Sequence, residues 1–377
     1  MNKIIEQNSE WINATFDKIV NKMDKVSERT GDKIPYSTVD GLYDDRSSDI
    51  YWWTNGFWGG MMWIMYHSTK DEKYRKIAES VENKLDEALY GYDGLHHDVG
   101  FMWLPTSVTN YKITGNESSK RRGLIAANIL AGRYNLVSEH IRAWNEPDGG
   151  PGIAIIDCMM NIPLLYWASD VLNDPRFKNI AMCHADTTMT KHIRPDGSVK
   201  HIVIYDHING GLIEEQVGQG FAVGSSWSRG QSWALYGYAL SYIYTKKEEY
   251  LDTAKRVAHY FISCVCDDYL PKCDFRSPQD PIYYDSTAGA VAACGLIEIA
   301  NVVPQNEKGI YINAAINILK ALEKNFCNWE DDEDSILQMG TEAYHRPNGI
   351  HIPIIYGDYY FIEAIYKLKE KDYIYLF

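Results

Sequence analysis

The feature that most constrains the fold is an alternation: apolar helical segments and charged amphipathic ones succeed one another six times along 377 residues. The first charged segment spans residues 8–28, with Ser9 as its cap and Trp11, Ile12, Phe16, Ile19, Val20 and Met23 on one face. Others follow at 71–90, 117–136, 175–193, 248–267 and 308–327. Apolar helices are expected to start near Gly56, Asp98, Ile153, Ser228, Asp285 and Gly357. Short strand-like runs, His201 to Tyr205 and Pro281 to Tyr284, fall in the loops before apolar helices. Six hairpins of alternating polarity bury their apolar members by forming an inner ring wrapped by the polar ones. The expected fold is all-α, an (α/α)6 barrel occupying residues 1–377 as a single domain. An α-solenoid is the runner-up, but its period is regular and shorter, whereas the spacing here stretches from about 40 to about 75 residues.

If the inner helices run the same way, their starts share one mouth. Four of those six starts carry an Asp: Asp98, Asp157, Asp285 and Asp358. An Asp at a helix start often caps free backbone N–H groups, and Asp285 and Asp358 are read as caps or supporting residues. Asp157 sits in Ile155-Ile156-Asp157-Cys158-Met159-Met160, the most apolar setting any acid has in this chain. Two readings of it stay open: a cap, or a buried carboxyl that keeps its proton well above the ordinary value and serves as a general acid. Asp98 follows His96 and His97. Two carboxyls in such unlike surroundings titrate apart, which is how acid and base duties are divided.

The rim loops add Trp53, Trp144, Trp227 and Trp233 as stacking faces, Gln219 and His201 as polar contacts, and Arg229 as a fixed cation for a carboxylate. The competing readings are Trp227 and Trp233 as core, Arg229 pairing an interior Asp, and His201 as a satisfied surface histidine. With 28 Tyr and 11 Trp the chain has rings to spare for a saccharide. A net charge of −14 argues against nucleic acid or an anionic membrane as partner. Seven scattered Cys, among them Cys264, Cys266 and Cys273 without paired C-x-x-C spacing, point to reduced thiols and not to zinc. The N-terminal Met1–Gln7 stretch is polar and no apolar run reaches membrane length, so a cytoplasmic protein is expected.

Trp-Thr-Asn-Gly-Phe-Trp from Trp53, His-His-Asp-Val-Gly-Phe from His96, Ile-Ile-Asp-Cys-Met-Met-Asn-Ile-Pro from Ile155, Trp-Ser-Arg-Gly-Gln-Ser-Trp from Trp227 and Asp-Ser-Thr-Ala-Gly-Ala from Asp285 occur in one order. In that order they resemble the unsaturated glucuronyl hydrolases, glycoside hydrolase family 88, over some four fifths of the chain. The resemblance implies the same barrel and no metal or organic cofactor. It implies a substrate with a non-reducing 4,5-unsaturated uronic acid, left by a polysaccharide lyase and released by hydration of its vinyl ether. Asp157 is then the acid that protonates C4, and Asp98 the second carboxylate. Trp53, His97, Trp144, His201, Gln219, Arg229 and Trp233 are the substrate contacts. Gln216-Val217-Gly218-Gln219-Gly220 lacks the His expected before the matching Gln. The loop from His345 to Tyr356 lacks a Ser and Lys cluster resembling a sulfate-binding pattern, so a weak preference for 6-sulfated chondroitin units is expected. The alternatives are an unsaturated rhamnogalacturonyl hydrolase acting on pectin-derived disaccharides and a non-catalytic sugar-binding barrel. Oligomeric state is not legible.

Overall fold

The computed structural model describes residues 3–145 and 150–377, so Met1 and Asn2 of the N-terminal stretch lie outside it. Six inner segments close a ring: Phe57–Thr69, Val99–Thr114, Ile156–Leu172, Ser228–Thr245, Ser286–Val302 and Ile355–Lys369, each packed on the next and the last on the first. The charged helices Ser9–Thr30, Glu72–Lys84, Glu117–Ala131, Pro175–Lys191, Glu248–Val265 and Lys308–Phe326 wrap outside. This is an (α/α)6 barrel. Close approach of the inner helices depends on small residues: a Cβ on Gly295 would lie 2.8 Å from the Cα of Tyr236 on the neighbouring helix, and one on Gly237 would lie 2.6 Å from the carbonyl oxygen of Met159.

The two rings treat their helix starts differently. Outer helices use side-chain caps at Asp71, Asn116 and Asp174, whose oxygens accept N–H bonds from Lys73, Ser118 and Arg176. Ser9 is not the expected cap; it lies inside its helix and donates to the carbonyl of Glu6. Among the described residues, no inner helix start carries a side-chain cap bond. Acids there are therefore released for other work.

Two expected elements differ. The apolar segment at Ile153 begins as a strand, Ile153–Ile155, then makes a tight turn over Ile156–Met160 before the helix Pro163–Leu172. The β-branched Ile153 and Ile155 pair with Ile204 and Ile202 of the strand Ile202–Tyr205, and Pro163 starts the helix where its missing N–H costs nothing. Pro281 to Tyr284 forms only a single bridge, Lys272 to Tyr284.

Three histidines are buried where the outer helix Pro175–Lys191 meets the Tyr134–Ile141 hairpin. His184 accepts the N–H of Ile141, His192 contacts the carbonyl of Lys200, and His140 stacks on Tyr205 at 4.8 Å. Burial pushes His140 and His192 down to about 4 and His184 well below its usual value. Folded values below the unfolded ~6.5 mean that this stability is complete above pH 6.5 and drains away as pH falls toward 4. Each of the first two contributes on the order of 3 kcal/mol across that window. The urea midpoint is expected to drop steeply between pH 7 and 5; a flat profile counts against neutral burial.

Candidate active site

A cavity of about 410 Å³ opens at the shared mouth of the inner helices, lined by residues of three of the five ordered motifs, by the loops carrying His201 and Gln219, and by Ala343 and Arg346. Asp157 enters it from the tight turn. Its side chain is 17% exposed and, among the described residues, its Oδ1 has no hydrogen-bond partner. The cap reading therefore falls away. Burial, reinforced by the charge of Asp98, pushes Asp157 up to about 8, against the opposing pull of Arg229. At neutral pH it carries its proton.

Asp98 is the contrasting group. Burial alone would raise it, but His97 and His96 outweigh burial and hold the carboxyl well below the ordinary range. Oδ2 of Asp98 lies 3.2 Å from Nδ1 of His96 and 3.4 Å from Nε2 of His97, while Oδ1 accepts a bond from Nδ2 of Asn161 at 3.0 Å. The same Asn161 amide donates to the carbonyl of Asp157 at 3.2 Å and accepts the N–H of Phe101 at 2.9 Å. One fully buried Asn thus fixes both acid-bearing segments relative to each other. A polar residue four positions after Asp157 in an apolar run was the signal for it in the sequence.

His201 is buried and pushed down to about 3, chiefly by burial, with the Arg229 charge adding to it. Its Nδ1 accepts the N–H of Gln219 at 2.9 Å, so the ring proton sits on Nε2, 3.7 Å from Oδ1 of Asp157. That turn requires glycine before Gln219: Gly218 has φ +60°, and a Cβ there would lie 2.0 Å from the imidazole. Trp53, His97, Trp144 and Gln219 line the cavity with the two acids and His201, and Trp52 and His96 join them.

Three expected contacts are placed elsewhere, the first being Trp227, which is buried with its ring packed on His201 at 4.0 Å. Arg229 does not stand free at the rim: it is 2% exposed, ion-paired with Asp285, and its remaining Nη donors reach the carbonyls of Thr341 and Glu342 at 2.7 Å. A guanidinium buried there needs those partners, so its charge acts on Asp157 from behind the wall. Trp233 is fully buried against Phe101, Tyr356 and Tyr360, a core ring beneath the cavity floor. The basic side chain that does line the cavity, among the described residues, is Arg346, held by Oε2 of Glu342 at 3.0 Å. Asp285 and Asp358 support the framework: Asp285 pairs Arg229 and accepts the hydroxyl of Thr287 at 2.6 Å, and Asp358 is hydrogen-bonded by the buried Tyr43.

No family model matches the chain. It is 36% identical to the unsaturated glucuronyl hydrolase of Bacillus sp. (strain GL1) over 353 residues, 91% of this chain and 93% of that one. It is 30% identical to the unsaturated chondroitin disaccharide hydrolase of Streptococcus pneumoniae, over 96% of this chain and 92% of the relative. The solved unsaturated glucuronyl hydrolase of Streptococcus agalactiae superposes with a TM-score of 0.90 at 28% identity, over 100% of this chain and 94% of that one. A variant of that enzyme complexed with dGlcA-GalNAc6S superposes at 0.84 and 26% identity, covering 97% and 93%. With its barrel, its two unlike carboxyls and these relatives, the chain belongs to the unsaturated glucuronyl hydrolase family of glycoside hydrolases.

Proposed function

We propose that this enzyme releases the non-reducing 4,5-unsaturated uronic acid from lyase-generated glycosaminoglycan-type disaccharides by hydrating the vinyl ether. The observation that carries the reading is one cavity lined by two carboxyls in unlike surroundings: Asp157, raised by burial to about 8, and Asp98, held well below the ordinary range by His97 and His96. Vinyl ether protonation is the slow step, and an acid near 8 keeps its proton at neutral pH. Asp157 gives that proton to C4. As a carboxylate it then takes a proton from the water that adds at C5, which restores the acid. The hemiketal so formed opens and releases the neighbouring sugar. Asp98, as an acceptor without a proton, suits ring hydroxyls, and the Nε2–H of His201 suits an oxygen on the substrate. Trp53 and Trp144 offer stacking faces.

Loss of the vinyl-ether absorbance over a panel of lyase products tests this. Glycosaminoglycan disaccharides are expected to turn over fastest; faster turnover of a pectin-derived disaccharide supports the rhamnogalacturonyl reading, and no change on any substrate overturns the hydrolase reading. Unsulfated units are expected to outpace 6-sulfated ones, and the reverse order sinks that preference.

The substrate is an anion, and Arg346 is the reachable cation. Arg346→Ala is expected to raise KM about tenfold with kcat nearly kept, the signature of uniform binding lost. An unchanged KM assigns the carboxylate to another group.

One apolar core running from Ile12 to Phe377 supports treating the chain as one catalytic domain. We also place the enzyme in the cytoplasm. Its seven cysteines are free thiols, as a reducing compartment keeps them.

A further inference from the structure

We propose that His96, His97 and Asp98 form an inhibitory site for a divalent transition metal of the zinc class. Their donor atoms all lie within 4.8 Å of one another, and among the described residues this is the group so arranged. Nδ1 of His96 and Nε2 of His97 stand 3.2 and 3.4 Å from Oδ2 of Asp98. Tetrahedral zinc with ligands at ~2.0–2.2 Å sets its donors about 3.3–3.5 Å apart, so two edges already match. Two imidazoles and a carboxylate are also the donor set of three-ligand sites that leave a fourth position open, and here all three residues line the cavity. Asn161 donates to Oδ1 of Asp98 and so leaves Oδ2 to the ion, the supporting role that outer carboxylate partners play around metals. Magnesium, which demands an octahedron of oxygens, finds one carboxylate oxygen here beside two imidazole nitrogens. The exposed Cys264 and Cys266 do not assemble with the buried Cys273 into a comparable group.

An ion bound there occupies the Asp98 oxygen assigned to sugar hydroxyls and cancels the negative charge that faces Asp157. It inhibits hydrolysis in competition with substrate. The inhibition rests on the hydrolase reading; the binding does not.

Chelator-treated, dialysed protein titrated with Co2+ decides the binding. The expected result is a visible absorption band saturating at one ion per chain, abolished by Zn2+ and untouched by Mg2+. Calorimetry is expected to show Zn2+ affinity at least ~10-fold weaker in His96→Ala and in His97→Gln, and unaltered in Cys266→Ser. Zn2+ is expected to raise the apparent KM at least tenfold at saturation, reversed by chelator. Absence of the cobalt band, equal Zn2+ affinity in both histidine variants, or full occupancy with unchanged hydrolysis each overturns the proposal. A protein that hydrolyses nothing before metal is added fails the functional reading instead, and the cobalt titration still decides the site.

Discussion

Asp157→Asn is expected to lose hydrolysis by about 10²–10⁴-fold while binding the unsaturated disaccharide almost as well as the parent. The amide keeps the shape of the carboxylic acid but has no proton to give. The same substitution is expected to stabilise the fold. Asp157 is held up to about 8 in the folded chain, against ~3.9 when unfolded. A group raised on folding contributes its stability in full only below the unfolded value and loses it progressively until pH passes the folded one. At pH 7 the acid therefore costs on the order of 3–4 kcal/mol, which an uncharged Asn does not. Thermal unfolding followed beside the absorbance assay checks both halves. An inactive variant that melts several degrees higher is the expected result; one that melts lower points to lost packing and removes the argument that activity fell for chemical reasons.

Asp98→Asn carries the second large effect, and its signature is a displaced pH profile. The charge of Asp98 is one of the two causes that lift Asp157, after burial itself. Without it, the alkaline limb of kcat/KM is expected to move down from about 8, toward neutrality. Activity at pH 7 falls for two reasons, since fewer molecules carry the proton and the sugar hydroxyls lose their acceptor. Measuring the variant at pH 5.5 separates them: partial recovery at low pH belongs to the proton, and the remainder to binding. An alkaline limb that stays where it was would falsify the coupling.

The barrel was legible because each charged helix exposes one polar face and each inner helix is apolar all round, a contrast that survives in the linear sequence. Asp157 was legible for the same reason, an acid among Ile, Cys and Met. What escaped was pairing across long separations. The sequence leaves Arg229 open between a rim cation and an interior ion pair, but its partner, Asp285 at the start of the next inner helix 56 residues away, is announced by no local spacing. Trp233 lies in the second turn of the helix Ser228–Thr245, where the sequence leaves it open between stacking face and core, and it is fully buried. Arg346 sits in a long loop without periodicity, so nothing placed it at the mouth. The strand at Ile153 escaped because a short run of β-branched residues suits a strand and a buried helix equally well.

The indole rings at the mouth also give the enzyme an optical signal. Trp52, Trp53 and Trp144 line the cavity, whereas Trp58, Trp63, Trp103 and Trp233 are sealed in the core. Ligand entry changes the polarity and water contact of the first group alone, so intrinsic fluorescence reports occupancy against a constant background. Dissociation constants for the inactive Asp157→Asn protein can therefore be read without a label and without turnover.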